Sequence, residues 1–159
     1  MTGIKRVSSE RELAQAFALR LRVFVKEQGV PAEIELDRDD RRAVHLIARA
    51  SDKVVGTARV VMHGRSAKIG RMAVLKSFRG RGIGRRLLVR AIATAMEIGA
   101  VRIYLHAQVA VLGFYKNAGF VCVGPVFDEA GIPHRQMIWQ RASHIGDRAI
   151  RKRRRLHRG

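Results

Sequence analysis

An α/β fold built on a mixed, mostly antiparallel sheet with one parallel strand pair is predicted by three observations. Strand-like β-branched stretches outnumber amphipathic helical ones. One strand–turn–helix–strand unit, Ala67 to His106, requires a parallel crossover. Of the 159 residues 47% are hydrophobic, which fills one core and leaves no room for a second domain of ordinary size.

The elements follow in order. Ile4 to Val7 reads as a short first strand, and Ser8-Ser9-Glu10 caps a helix whose Leu13, Phe17, Leu21 and Phe24 form one apolar face. Gly29 and Pro31 end it and open an acidic loop. Ala43 to Ala50 and Val54 to Met62 read as a hairpin turning at Lys53, with β-branched residues concentrated in its second arm. After the His63-Gly-Arg-Ser turn, Ala67 to Val74 is a strand feeding a glycine-rich turn. From Ile83 the set Leu87, Leu88, Ala91, Ile92, Ala95 and Met96 repeats at helical spacing until Gly99. Val101 to His106 is a strand, Val109 to Asn117 a helix, Val121 and Val123 begin the next strand, and Arg135 to Arg141 is the last.

The chemistry concentrates in the glycine-rich turn. Gly80, Gly82 and Gly84, interleaved with Arg79, Arg81 and Arg85, place backbone N–H groups and a helix N-terminus where an anion can bind. The string is not the nucleoside triphosphatase loop, which needs four residues between glycines and then Gly-Lys-Ser/Thr. Nor is it the dinucleotide fingerprint, because the spacing is Gly-x-Gly-x-Gly and no acid stands near Val101 and Arg102.

Arg79-Gly-Arg-Gly-Ile-Gly84 resembles the Arg/Gln-x-x-Gly-x-Gly/Ala signature of the Gcn5-related N-acetyltransferases, the GNAT family. Phe114-Tyr-Lys-Asn-Ala-Gly-Phe120 is similar to the family's second signature, and the resemblance runs through nearly all of Ile4 to Arg141. Leu21 to Pro31, the His45-Leu pair, Leu105-His-Ala-Gln108 and Glu129-Ala-Gly-Ile-Pro-His134 resemble its ElaA-like branch.

The resemblance implies helices on both sheet faces, a splayed parallel strand pair, and an acetyl-coenzyme A dependent N-acetyltransferase acting on a primary amine, small molecule or peptide. It implies direct transfer in a ternary complex, without a covalent intermediate. Met72, Ala73 and Val74 would pair with pantetheine, and Arg79, Gly80, Arg81, Gly82, Ile83, Gly84 and Arg85 would wrap the pyrophosphate, with Gln108 also at the cofactor. Tyr115 takes the family position of the general acid; packing between Phe114 and Phe120 is its alternative role. Where many relatives carry a glutamate before the glycine loop, this chain has Arg71. Glu27, His45, His106 and His134 are the candidate bases, and a water relay could replace them.

The net charge of +19 is unevenly placed. Seven basic residues and no acid lie between Arg148 and Arg158, so residues 144–159 read as a basic tail, disordered and able to contact nucleic acid without sequence specificity, behind an acetyltransferase domain of residues 1–143. A solvated tail without a dedicated partner is the other reading. Six of the thirteen acids fall between Glu27 and Asp40, either as a field attracting a cationic acceptor or as a solvated loop paired with Arg38, Arg41 and Arg42.

Two competing functions remain at this stage, a nucleic-acid-associated protein on the same fold and a non-catalytic acyl-coenzyme A sensor. Only 6% of residues are aromatic, and no aromatic-interleaved basic face suggests base stacking. The single cysteine, Cys122, fits a reducing compartment as a buried strand residue. With no secretion signal and no run of ~18 apolar residues, a cytoplasmic protein without a membrane partner is expected. The six histidines lack ligand spacing, so no metal is expected. The oligomeric state stays open, a homodimer included.

Overall fold

The computed structural model describes residues 2–140, so the basic tail and Arg141 lie outside the described residues. The chain forms a seven-stranded sheet in the order β1-β2-β3-β4-β5-β7-β6. Its strands are β1 (Thr2–Arg6), β2 (Val44–Ala50), β3 (Lys53–His63), β4 (Ser66–Val74), β5 (Arg102–Gln108), β6 (Phe120–Glu129) and β7 (Ile132–Trp139). Every neighbouring pair is antiparallel except β4 and β5. The helices are α1 (Glu10–Arg20), α2 (Ala32–Glu35), α3 (Ile83–Glu97) and α4 (Leu112–Lys116). Among the described residues no helix is long and apolar enough to cross a membrane.

Helices on both faces explain the burial of β3, where Val54 to Val61 is buried without alternation. α3 packs on β3 and β4, and α1 packs on β3 and β2. Gly56 marks how close α3 comes, since a β-carbon there would stand 2.9 Å from Leu87 Cδ1. The apolar face expected for α3 is the one it buries, with only Met96 half-exposed.

α1 turns a different face inward from the one its apolar spacing predicts. Its buried residues are Glu12, Ala16, Leu19 and Arg20, while Leu13 and Phe17 lie at the margin. Two charged residues are buried because each has partners. Glu12 accepts from Lys5 Nζ at 2.7 Å and from the Ser8 N–H, and Arg20 is held by Glu35 and Asp40. Past Arg20 the helix widens into a π-helical stretch, Leu21–Glu27, a geometry frequent at functional sites.

Two boundaries and one burial differ from the sequence reading. The helix expected from Val109 is a 3₁₀ turn and then the short α4. β7 starts at Ile132 rather than Arg135, because Ala130 (φ 54°) and Gly131 (φ 77°) make a two-residue hairpin turn that brings Glu129 opposite Ile132. Cys122 lies on β6 but is half-exposed.

Candidate active site

β4 and β5 pair only from Ser66/Arg102 to Ile69/Leu105. Beyond that point they diverge, β4 held by β3 through Val74 and β5 by β7 through Gln108. The unpaired edge of Met72, Ala73 and Val74 therefore faces a cleft, as a strand-like ligand would require. The divergence begins where β4 bulges, with Arg71 at φ 51° and a register shift in β3 between Thr57 and Arg59. Arg71 donates to the Ile34 and Glu35 carbonyls and pairs with the Glu35 carboxylate at 3.1 Å. At the position where a base was sought, this chain has a fastener for the α2 segment.

The glycine loop stands at the β4 side of the cleft. Gly82 is the N-cap of α3 in the left-handed conformation (φ 77°), without a capping side chain. The first helical bond runs from Arg86 N–H to the Gly82 carbonyl, so the N–H groups of Ile83, Gly84 and Arg85 have no partner on their own helix. A β-carbon on Gly84 would meet Phe114 Cζ at an ordinary 3.5 Å. Arg81 lies over the Phe78 ring, and Arg85 and Arg86 are exposed beside the loop.

Opposite the loop, the hairpin of β6 and β7 gathers two candidate bases on one carboxylate. Glu129 Oε1 stands 3.1 Å from His106 Nδ1, and its Oε2 stands 3.5 Å from His134 Nε2. The Ile132 carbonyl, which can only accept, lies 2.7 Å from His134 Nδ1 and so fixes a proton there. A carboxylate facing His106 Nδ1 likewise favours the tautomer protonated on Nδ1, which leaves Nε2 as the acceptor nitrogen. Phe127 packs edge-on against His106 and stacks on His134. The hydrogen bond from His106 holds the Glu129 carboxyl at about 2, against a burial effect of opposite sign.

A sequence model of the acetyltransferase (GNAT) domain matches residues 7–141. The chain belongs to the GNAT family. It is 39% identical over 131 residues to the uncharacterized N-acetyltransferase YjcF of Bacillus subtilis, covering 82% of this chain and 94% of that protein. Protein ElaA of Escherichia coli is 33% identical over 135 residues, covering 79% and 88% of the two chains. The crystal structure of E. coli ElaA superposes with a TM-score of 0.80 at 29% identity, over 88% of this chain and all of that one. An acyl-CoA N-acyltransferase from Pseudomonas aeruginosa gives 0.78 at 30% identity, over 88% and 99%.

The remaining site residues take up varied places in this GNAT domain. Tyr115 packs against the core between Phe114 and Phe120, and burial pushes its phenol up to about 12. Glu27, at the end of the π-helical stretch, accepts from the loop's Arg79 at 2.9 Å, and Arg79 also donates to the Val74 carbonyl. The next residue, Gln28, accepts from Gln108 at 2.9 Å, so the two ends of the cleft are joined to one turn of helix. His45 is not with them. It lies on β2, separated from the cleft by β3 and β4, bonded to the Asp40 carbonyl and edge-on to Phe17, with burial lowering its pKa.

The acidic segment matches neither sequence reading. Glu35, Asp37 and Asp40 pair with Arg20, Arg59 and Arg71, which arise from α1, β3 and β4 rather than from the loop itself. Only Asp39 pairs locally, with Arg42. The segment is thus a neutralised fastener, not an exposed field. Sequence reasoning missed Glu129, although a hairpin turn at Ala130-Gly131 would have put Glu129 and His134 on one sheet face.

Proposed function

We propose that the protein transfers the acetyl group of acetyl-coenzyme A to a primary amine by direct attack in a ternary complex. The observation that carries this reading is the divergence of β4 and β5 after Ile69/Leu105, with the uncapped α3 N-terminus at one side and His106 at the other. The loop fits a pyrophosphate: the N–H groups of Ile83, Gly84 and Arg85 lack partners on their own helix, Gly80 and Gly82 face open space, and arginines surround it. Arg79 to Arg85 would hold the phosphates, and the backbone of Met72 to Val74, with Gln108, the pantetheine arm.

When bound, acetyl-coenzyme A supplies the activated acetyl group. The chain's residues handle protons. Of the two protons that the acceptor ammonium loses, His106 Nε2 removes one to solvent and Tyr115 Oη delivers the equivalent of the other to the departing sulfur. Glu129 keeps His106 in the required tautomer, and burial keeps Tyr115 protonated at neutral pH. Residues 1–143 form the catalytic domain in this reading, and residues 144–159 are an appendage dispensable for transfer.

The test is thermal unfolding with coenzyme A, acetyl-coenzyme A or NAD, followed by thiol release from acetyl-coenzyme A with a panel of amines. Stabilisation by the first two only, together with amine-dependent release, is expected. An unchanged melting temperature at saturating coenzyme A overturns the reading; stabilisation without release for any amine makes the protein a sensor.

A further inference from the structure

The sheet face that carries His106 also carries a lysine that, among the described residues, has no direct ion-pair partner. Paired residues share a face, so the register Val61–Lys68–Tyr104–Ile138 places Lys68 and Tyr104 side by side. His106 is two residues further along β5 on that face, next to Gln136. From strand spacing, the α-carbons of Lys68 and His106 stand about 8 Å apart. Gly70, which follows Lys68 on the same face, contributes no side chain and leaves the space between them open.

Lys68 is half-buried, and among the described residues it makes neither an ion pair nor a hydrogen bond. Its charged neighbours are mostly unhelpful. Burial lowers its pKa, Arg59 and Arg71 add to that effect, and Glu129 and Asp39 oppose it. Glu129 hydrogen-bonds His106 and lies beside His134, and Asp39 pairs with Arg42, so each acts on Lys68 only through space, without a direct contact. The arginines have partners in the acidic segment, whose carboxylates are consumed in holding it down. Among the described residues, Lys68 is therefore a half-buried cation on this face with no direct ion pair.

We propose that the acceptor is an amine that carries its own anionic group, a carboxylate or phosphate a few bonds from the nitrogen, and that Lys68 binds that group. This rests on the transferase reading above. The amine lies at His106 and the anion at Lys68, a separation that a compact amino-acid-like molecule spans. A bound anion gives Lys68 a direct ion pair and a charge-assisted hydrogen bond in a half-buried setting. Diamines and polyamines are disfavoured, since a second ammonium would face the like charge of Lys68.

The experiment compares matched acceptors under one assay: alanine against ethylamine and phenylalanine against phenethylamine for the carboxylate, and phosphoethanolamine against ethanolamine for the phosphate. The expected result is a kcat/KM roughly 10- to 100-fold higher for at least one anionic member over its neutral partner. Lys68→Met should remove that ratio and Lys68→Arg restore most of it, with the coenzyme A thermal shift as the check that both variants fold. Equal or reversed ratios in the wild type overturn the proposal. So does a Lys68→Met variant that loses all amines alike, since that places Lys68 in the chemistry. If coenzyme A stabilises the protein but no amine is turned over, the transferase reading fails, and Lys68 is judged by titration with N-acetylglycine in the presence of coenzyme A. Tighter binding to wild type than to Lys68→Met then supports the anion site, and equal binding removes it.

Discussion

Arg79 of the glycine loop and Glu27 of the π-helical stretch form an ion pair at 2.9 Å across 52 residues of sequence. The pair occupies Glu27 and fixes the loop arginine against the helix that roofs the cleft. Glu27→Gln should therefore leave the pH profile of kcat unchanged and alter turnover less than about threefold. A general base would lose roughly 10²- to 10⁴-fold. Steady-state kinetics across pH decides between them.

His106→Gln should lower kcat by that larger factor, whereas His45→Gln should change stability but leave kcat nearly as in the wild type. Glu129→Gln is the informative intermediate. It retains the shape of the side chain but removes the charge that orients His106, so kcat should fall by less than in His106→Gln, with little change in coenzyme A affinity.

Tyr115→Phe should reduce turnover roughly 10- to 10⁴-fold with coenzyme A affinity unchanged. Since burial holds the wild-type phenol up near about 12, it keeps its proton throughout the assayable range. Any alkaline limb below about pH 10 belongs to another group and should persist in the variant. Wild-type turnover would return Tyr115 to its packing between Phe114 and Phe120.

Gly82 and Gly84 should respond differently to the same change. An L-residue at φ 77° costs about 1–2 kcal/mol and disturbs the N–H groups of the loop, so Gly82→Ala should lower both the melting temperature and the coenzyme A shift. Gly84→Ala adds only an ordinary contact with Phe114 and should bind normally. Thermal shift with and without coenzyme A reads both.

Arg20 donates to Glu35 and Asp40 at 2.7 Å each from a fully buried position. Arg20→Ala strands both carboxylates and should cost about 3–5 kcal/mol in chemical denaturation. Burial opposes the Asp40 charge, but its bonds from Arg20, Arg59 and the Asp37 N–H prevail and hold the carboxyl at about 2. A folded value below the unfolded ~3.9 gives stability that is complete above pH 4 and lost as pH falls toward 2. Asp40→Asn should flatten stability in that window. Glu35 acts in the other sense, burial raising its pKa, so its contribution is lost as pH rises through the folded value.

Much of the fold and the glycine-rich turn could be read from local pattern. Strand alternation, the apolar spacing of α3 and the glycine spacing at 80, 82 and 84 are short-range properties that each segment carries in its own order. α1 buries a face that its own sequence does not mark. Its apolar residues point to one face, but burial of Glu12 and Arg20 depends on Lys5, Glu35 and Asp40, partners invisible within the helix.

By itself, then, the sequence determined the order of elements, the crossover from β4 to β5 and the position of the glycine-rich turn before α3, because backbone conformation and hydrophobic period are set within a few residues. Only the tertiary structure decided which charged groups are committed and which are free. It joined Glu129 to His106 across 23 positions, spent the acidic segment on Arg20, Arg59 and Arg71, and gave Lys68 no direct ion pair among the described residues. Ion pairing is settled by distance in space, and the sheet's register brings together residues that the chain order keeps far apart.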